Sequence, residues 1–196
     1  MRRGSDAAFF GAVNISGAKT LTCEIPAAEL AAKFRDADRF LELCRACPNF
    51  GKIWACPPFL ADPPQLEEPG ASCELFMTEI TMPEIPPGAD PKTETERAYG
   101  AARSELDARL LEIERRTPRA LALFGGSCRN CPLPACPRGG GLPCPRPQFA
   151  RPSLEALGFD VSAIAREIFG EELEWASDTR PPKKIRIVSA VLRAPH

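Results

Sequence analysis

The sequence is almost devoid of histidine. Its single histidine is His196, at the end of the sequence, where chains are usually frayed. General acid–base catalysis by histidine, Cys–His nucleophilic pairs and histidine-ligated metal sites are therefore nearly excluded. Any metal chemistry has to use thiolate or carboxylate ligands.

The sequence also lacks a charge excess and a long apolar run. With 25 basic and 26 acidic side chains, the formal net charge is −1, so no global field attracts nucleic acid or an anionic membrane. No stretch approaches the roughly 20 apolar residues of a membrane helix. The apolar run at residues 7–13 is too short for a signal peptide. We therefore expect no nucleic-acid partner, no membrane partner and a cytoplasmic location, where thiols stay reduced.

Proline is abundant, with 22 residues, and it predicts rigid, irregular loops because it fixes φ and removes a backbone donor. Alternating patterns between these loops predict four strands, at residues 19–25, 72–82, 120–124 and 184–192. Helical spacing predicts helices at residues 26–44 with a break near Asp36, 93–116, 153–157 and 161–169. About four strands and four helices in a single domain, residues 1–196, predict an α+β fold with two irregular cysteine-rich loops.

Seven of the nine cysteines lie in two groups, at residues 44–58 and 128–145. Each group opens with a C-x-x-C pair, the spacing that lets two thiolates converge on one centre from a tight turn. We predict the same ligands whether the metal is a single ion or part of a cofactor: Cys44, Cys47, Cys56, Cys128, Cys131, Cys136 and Cys144. Four thiols in one irregular loop of seventeen residues would be costly to bury without a metal.

The identity of the metal is decided by the number and arrangement of the thiolates. A [4Fe–4S] cluster requires four thiolates around a cube, and the second loop, stiffened by Pro132, Pro137 and Pro145, can wrap one. Zinc is the alternative, because two C-x-x-C pairs build a zinc site with four cysteine ligands. A zinc site made from both pairs would leave three cysteines without a role, whereas a zinc site within the second group alone is chemically acceptable. We predict one or two iron–sulfur clusters, of the [4Fe–4S] type, with zinc as the alternative.

The first group has only three thiols, so the sequence does not determine the source of its fourth ligand. Cys23 and Cys73 lie in predicted strands, where buried cysteine commonly behaves as a small apolar residue, and we assign both to the core. The fourth ligand then comes from the second loop, from one of these two cysteines, or from no residue at all. An iron without a protein ligand could bind water, substrate or a partner's ligand. We expect two centres, the first open and the second closed.

Basic side chains surround both groups. Six of them lie in or beside the two loops: Arg45, Lys52, Arg129, Arg138, Arg146 and Arg151. Because a thiolate-ligated cluster is anionic, they would raise its potential or attract an acidic partner. The alternative is that they are solvated loop charges.

The chain resembles a family of predicted metal-binding proteins, domain of unknown function 2284. The resemblance rests on both cysteine groups and the segment after them: residues 44–58 and 126–131, Cys136, Cys144 and residues 151–161. These motifs span most of the chain. The resemblance implies seven ligand-type cysteines and a metal, commonly presumed to be a [4Fe–4S] centre, and it implies no reaction.

Three functions remain open at this point. The first is a cytoplasmic, cluster-bearing protein that transfers electrons to, or senses redox state for, a redox partner protein. The second is an enzyme that uses an open-site iron–sulfur cluster. The third is a protein in which zinc has a structural role. The sequence identifies no catalytic residue and no substrate.

Overall fold

The structure is a computed structural model that describes residues 8–15, 18–59, 68–131, 136–174 and 181–195. Within these ranges five strands are present: β1 (Ala8–Ile15), β2 (Ala18–Pro26), β3 (Ser72–Thr81), β4 (Ala120–Leu123) and β5 (Lys184–Arg193). The same ranges contain four α-helices: α1 (Ala27–Phe34), α2 (Ala37–Arg45), α3 (Pro91–Arg116) and α4 (Val161–Phe169). Short 3-10 helices lie at Pro137–Gly140, Pro147–Phe149 and Glu155–Leu157. The predicted α+β fold is confirmed.

The strands form one sheet in the order β1-β2-β3-β5-β4 across the described part of the chain. Every neighbouring pair is antiparallel. The central pair, β3 and β5, aligns Cys73 with Leu192 and Ile80 with Ile185, although α3, β4 and α4 lie between these two strands in the sequence. Both cysteine-containing loops lie outside this sheet: the first is between α2 and β3, and the second is between β4 and α4.

The two faces of the sheet are covered by different helices. Leu75 and Met77 of β3 face one core cluster together with residues of α1 and α4, while Phe76 faces a second cluster with Leu106 and Leu110 of α3. The alternation of β3 predicts this division, because successive side chains of a strand point to opposite faces. The prediction is confirmed.

The predicted break near Asp36 is confirmed and determines where the first cysteine lies. Arg35 is extended and forms an isolated bridge with Phe159, and the Asp36 side chain accepts a hydrogen bond of 3.1 Å from the Arg39 N–H. This capping interaction satisfies an N–H that the helix itself cannot pair, so α2 starts in a new direction. Its last turn carries Cys44.

Helix α3 begins earlier than the sequence predicts. A capping box of Thr93 with Glu96 is the sequence prediction, but the structure has Asp90 as the N-cap, accepting a hydrogen bond of 2.9 Å from the Thr93 N–H. Pro91 occupies the first turn, where a missing N–H costs nothing. The predicted end near Arg116 and the buried positions Leu106 and Leu110 are as expected.

The segment predicted as a helix at residues 153–157 is a single 3-10 turn, Glu155–Leu157. It ends at Gly158, whose φ is +94° and where an added Cβ would lie 2.8 Å from the Ala37 Cα. Only glycine allows this close approach without strain. The turn therefore packs against the start of α2, the helix that carries Cys44.

Strand β1 is the element that the sequence does not predict. Its residues read as a short apolar run rather than as an alternating strand, and they pair with β2, for example Phe9 with Cys23. Strand formation here depends on the neighbouring strand, which local pattern does not reveal. No helix in the described residues is long and apolar enough to cross a membrane.

Candidate metal centre

The first cysteine group starts at the end of α2. Cys47 N–H donates to the Cys44 carbonyl oxygen over 3.0 Å, and Phe50 N–H donates to the Cys47 carbonyl oxygen over 3.1 Å. These two successive turns hold the C-x-x-C pair in a compact backbone. Cys44 is half-buried and Cys47 is exposed.

The rest of the first loop folds back to bring Cys56 to the same place. Gly51, with φ +68°, donates its N–H to the Pro57 carbonyl oxygen over 2.9 Å, and Cys56 N–H donates to the Ile53 carbonyl oxygen over 3.0 Å. Cys44, Cys47 and Cys56 then line one cavity of about 180 Å³. The structure therefore brings together the three predicted ligands of the first group.

The opposite wall of this cavity comes from distant parts of the sequence. Gly126, Ser127, Ser153 and Glu155 line it together with the three thiols. The two walls are joined by a hydrogen bond of 3.1 Å from the Asn49 side-chain amide to the Ser127 hydroxyl. The cavity thus lies between the first cysteine loop, the turn that precedes the second loop and the 3-10 turn Glu155–Leu157.

The Gly125–Gly126 turn before Cys128 is anchored by α3. The Tyr99 hydroxyl donates to the Gly125 carbonyl oxygen over 2.7 Å, and the Arg103 guanidinium donates to the same oxygen. Arg103 is buried and is held by Asp107, with an Nη2–Oδ2 distance of 2.9 Å. A buried arginine paired in this way is costly to disrupt, so it anchors the entry to the second loop. Because Gly125 lies 22 residues beyond Arg103, the local sequence pattern does not reveal this contact.

The second cysteine group lies beside the first. Cys128 and Cys136 pack against Ile53, Ala55 and Cys56. Burial raises the pKa of Cys128, and the nearby thiols of Cys144 and Cys131 raise it further. The Cys128 sulfur also accepts a hydrogen bond of 3.3 Å from the Asn130 side-chain amide. That the four sulfurs of this group surround a single centre stays a prediction.

Arg138 links the two loops. Its Nη1 donates to the carbonyl oxygens of Ile53 and Cys56, each over 2.6 Å, and its Nη2 donates to that of Pro58. The guanidinium also lies 5.3 Å from the ring centroid of Trp54. Arg138 therefore acts as a clamp on the backbone around Cys56. The sequence does not predict this role, because it suggests only a solvated charge or a modulator of a cluster.

Burial makes two thiols of the first group weaker acids. Burial, reinforced by the neighbouring Cys47, Cys44 and Cys128 and opposed by Arg138, raises the pKa of Cys56 to about 12. Burial also raises the pKa of Cys44, with smaller contributions from Cys47 and Glu155. Since metal ligation requires thiolates, metal binding at these positions has to displace protons.

Glu155 is the cavity residue that sequence reasoning missed. Its Oε2 atom is buried and has no hydrogen-bond partner among the residues that the structure describes. Burial raises the pKa of the Glu155 carboxyl, against the hydrogen bonds that it accepts from its own N–H, the Ser153 hydroxyl and the Gly126 N–H. Glu155 falls inside one of the segments that carry the family resemblance, but nothing in that segment alone shows that its side chain faces the thiols.

A comparison with known families identifies the chain. The family model described as predicted metal-binding protein (DUF2284) matches residues 30–193. The chain belongs to this family. No curated protein and no solved structure shows significant similarity to it.

The family match includes all seven cysteines of the two loops, whereas β1 and β2 precede it. Cys23 therefore lies outside the match and Cys73 lies inside it. Both are buried in the core cluster on the α1 and α4 side of the sheet. This position agrees with their assignment to the core and removes them as neighbours of the cavity.

The spacing of the donors bears on the size of the group that they could hold. Among the described residues, which include all nine cysteines, no three His, Cys, Asp or Glu side chains are close enough to hold one metal ion. A tetrahedral zinc ion with Zn–S bonds of about 2.3 Å would need sulfurs about 3.8 Å apart. Cys44, Cys47, Cys56 and Glu155 nevertheless line one cavity, and soft thiolate donors of this kind accept zinc or iron–sulfur clusters.

Proposed function

We propose that this predicted metal-binding protein holds [4Fe–4S] clusters in its two cysteine loops and acts in electron transfer, or as a redox accessory protein, in the cytoplasm. The observation that carries the proposal is the cavity of about 180 Å³ lined by Cys44, Cys47 and Cys56. Its three thiol donors come from the first cysteine group and converge on the same cavity. A bound cluster would supply reversible one-electron transfer.

The chain's own residues would hold two such groups at adjacent positions. Cys44, Cys47 and Cys56 would bind the first. The second would be bound by the thiols of the second loop, Cys128, Cys131, Cys136 and Cys144. Arg138 would keep the two loops in register through the carbonyl oxygens around Cys56. Packing of Cys128 against Cys56 supports a short separation between the two groups, and short separation favours electron transfer.

The surface around the loops supports a protein partner. Cys47 is exposed, so a group bound there would lie near solvent. Large apolar side chains that are exposed among the described residues are Leu43, Leu142 and Phe149, and each lies within or close to one of the cysteine groups in sequence. Exposed apolar residues beside a cofactor, with basic residues around them, are typical of transient docking surfaces. We propose a redox protein as the partner.

Anaerobic purification with quantitation of iron, acid-labile sulfide and zinc tests the proposal. We expect iron and sulfide in nearly equal amounts, about eight of each per chain, with little zinc, and a reducible centre by electron paramagnetic resonance. Stoichiometric zinc without sulfide would overturn the proposal and favour the structural zinc protein.

An enzyme that uses an open-site cluster is the second candidate, because the cavity of the first group is open and has one exposed thiol. Cyanide, a small ligand for iron, distinguishes the two functions. A spectral change on addition of cyanide to the reduced protein would indicate an exchangeable iron and favour the enzyme. An unchanged spectrum would favour electron transfer.

A further inference from the structure

We infer that Glu155 provides the fourth ligand for the group held by Cys44, Cys47 and Cys56. The inference rests on the proposed function, since it concerns the same site. The fourth ligand is then a carboxylate from the 3-10 turn Glu155–Leu157. The coordination position is neither open nor filled by a thiolate from the second loop.

The geometry of the cavity carries this assignment. Glu155 lines the same cavity as the three thiols, and its Oε2 is buried without a hydrogen-bond partner in the described part of the chain. The other polar contacts of the carboxylate are to its own N–H, the Ser153 hydroxyl and the Gly126 N–H. An unpaired buried carboxylate oxygen costs free energy unless a cation or a donor compensates it. A metal bound by the adjacent thiols would do so.

The backbone holds Glu155 in this position. The Arg35 Nε donates to the Leu157 carbonyl oxygen over 2.9 Å, and Gly158 packs against Ala37 at the start of α2. The turn and the helix that carries Cys44 are therefore one packed unit. The carboxylate needs no long-range rearrangement to reach a group bound by Cys44.

Cys128 is the competing fourth ligand and is less well placed. It packs against Cys56, but it is not among the residues that line the cavity. Its sulfur already accepts the Asn130 amide, and its neighbours Cys131 and Cys144 belong to the second loop. Within the described ranges, the Glu155 Oε2 atom has no such alternative partner.

The test compares Glu155→Gln with Glu155→Cys and with the matched control Glu42→Gln. Glu42 lies on α2 close to Cys44, but it is exposed and pairs with Arg45. Carboxylate is a poorer ligand than thiolate for iron in a sulfide cluster. After mild ferricyanide oxidation we expect iron retention in the order Glu155→Cys, wild type, Glu155→Gln. The glutamine variant should lose about one iron per chain more than wild type and show a stronger three-iron signal by electron paramagnetic resonance. Glu42→Gln should match wild type.

The outcomes separate this inference from the function beneath it. A wild-type chain without iron and sulfide overturns the proposed function. A cluster-containing wild type whose iron retention and spectra are unchanged in both Glu155 variants overturns the assignment of Glu155 alone. The signal of the second centre and the melting temperature report folding in each variant. We expect Glu155→Cys to retain more iron than wild type and Glu155→Gln to retain less. Loss of folding in one variant would lower its iron content but would not produce this pair of opposite changes.

Discussion

At the scale of the residue, burial distinguishes the thiols of the first group. With a pKa of about 12, Cys56 would be thiolate in only about one chain in ten thousand at pH 8. In the metal-free protein we expect iodoacetamide to modify the exposed Cys47 well before Cys56. Raising the pH from 8 to 9 should speed modification of Cys56 about tenfold. Time-resolved peptide mass spectrometry measures both rates.

Unfolding the same sample in guanidinium chloride provides the control, because both cysteines should then react at similar rates. Equal rates in the folded, metal-free chain would contradict the burial of Cys56.

Arg138 is expected to hold the loops by its shape as well as its charge. Arg138→Lys keeps the positive charge but loses the fork of donors to the carbonyl oxygens of Ile53, Cys56 and Pro58 and the contact with Trp54. We expect a loss of about 2 kcal/mol in stability and faster release of iron to a chelator. Arg146→Lys is the matched control, because the Arg146 Nη1 has one hydrogen bond, to the Asn130 carbonyl oxygen. Equal effects of the two substitutions on thermal unfolding and iron release would exclude the clamp.

The sequence reveals some of these residues and conceals others for a physical reason. The proposed thiolate ligands are visible in the sequence because their C-x-x-C spacing reflects a local turn. Glu155 and Arg138 act through contacts with segments more than 80 residues away, Arg138 with Ile53 and Cys56, for instance. Such contacts leave no local pattern. A single glutamate in a loop looks the same whether it faces water or a cavity.

At the scale of the element, an ion pair ties the end of α3 to the segment after the second loop. Glu114 accepts two hydrogen bonds from Arg151 and one of 2.7 Å from the Ala122 N–H in β4. Burial opposes ionisation, but these partners together lower the pKa of Glu114. A lowered pKa in the folded state means that the stabilisation is complete above the unfolded value of about 4.3 and is lost as the pH falls through the folded value.

We therefore expect Glu114→Gln to lower the melting temperature at pH 7, by an amount equivalent to about 2 kcal/mol, and to flatten its fall below pH 4. Thermal unfolding between pH 3 and pH 7 measures both effects. Glu96→Gln, at an exposed position of the same helix, should follow wild type throughout. A wild-type acid transition that persists unchanged in Glu114→Gln would show that other carboxylates govern it.

The elements differ in how far the sequence predicts them. The sequence predicts α4 from end to end, because Asp160 caps it and Gly170 terminates it. The start of α3 is shifted because two capping candidates, Asp90 and Thr93, lie three residues apart and a proline favours the first. The sequence does not predict strand β1 or the strand order, because both depend on pairing between distant segments. The sequence thus predicts local structure well and long-range pairing poorly.

At the scale of the whole molecule, metal binding should contribute to folding. The two loops contact each other through Cys56, Cys128 and Cys136, with few apolar neighbours such as Ile53. So little apolar surface cannot order the proline-rich second loop by itself. Removal of the metal by chelation or oxidation should lower the melting temperature by about 10 °C or more, since about 2–4 °C corresponds to 1 kcal/mol in a chain of this size.

Limited proteolysis of the same samples should cut the second loop in the metal-free protein while leaving the sheet intact. A metal-free form as stable and as protected as the metal-bound form would contradict this prediction.

The number of centres is decided by changing one thiol in each group. Cys56→Ser removes a ligand of the first group and should abolish partner response while most iron of the second centre stays in place, because four thiols of the second loop remain. Cys136→Ser should have the reverse effect on iron, and Cys73→Ala, in the core on β3, is the control for loss of a buried thiol. Iron and sulfide per chain, with electron paramagnetic resonance of each variant, measure the outcome.

The packing of Cys128 and Cys136 against Cys56 makes one shared site the physical alternative. A single four-iron centre per chain, lost equally in Cys56→Ser and Cys136→Ser, would show that both loops close on one cluster and would end the two-centre interpretation.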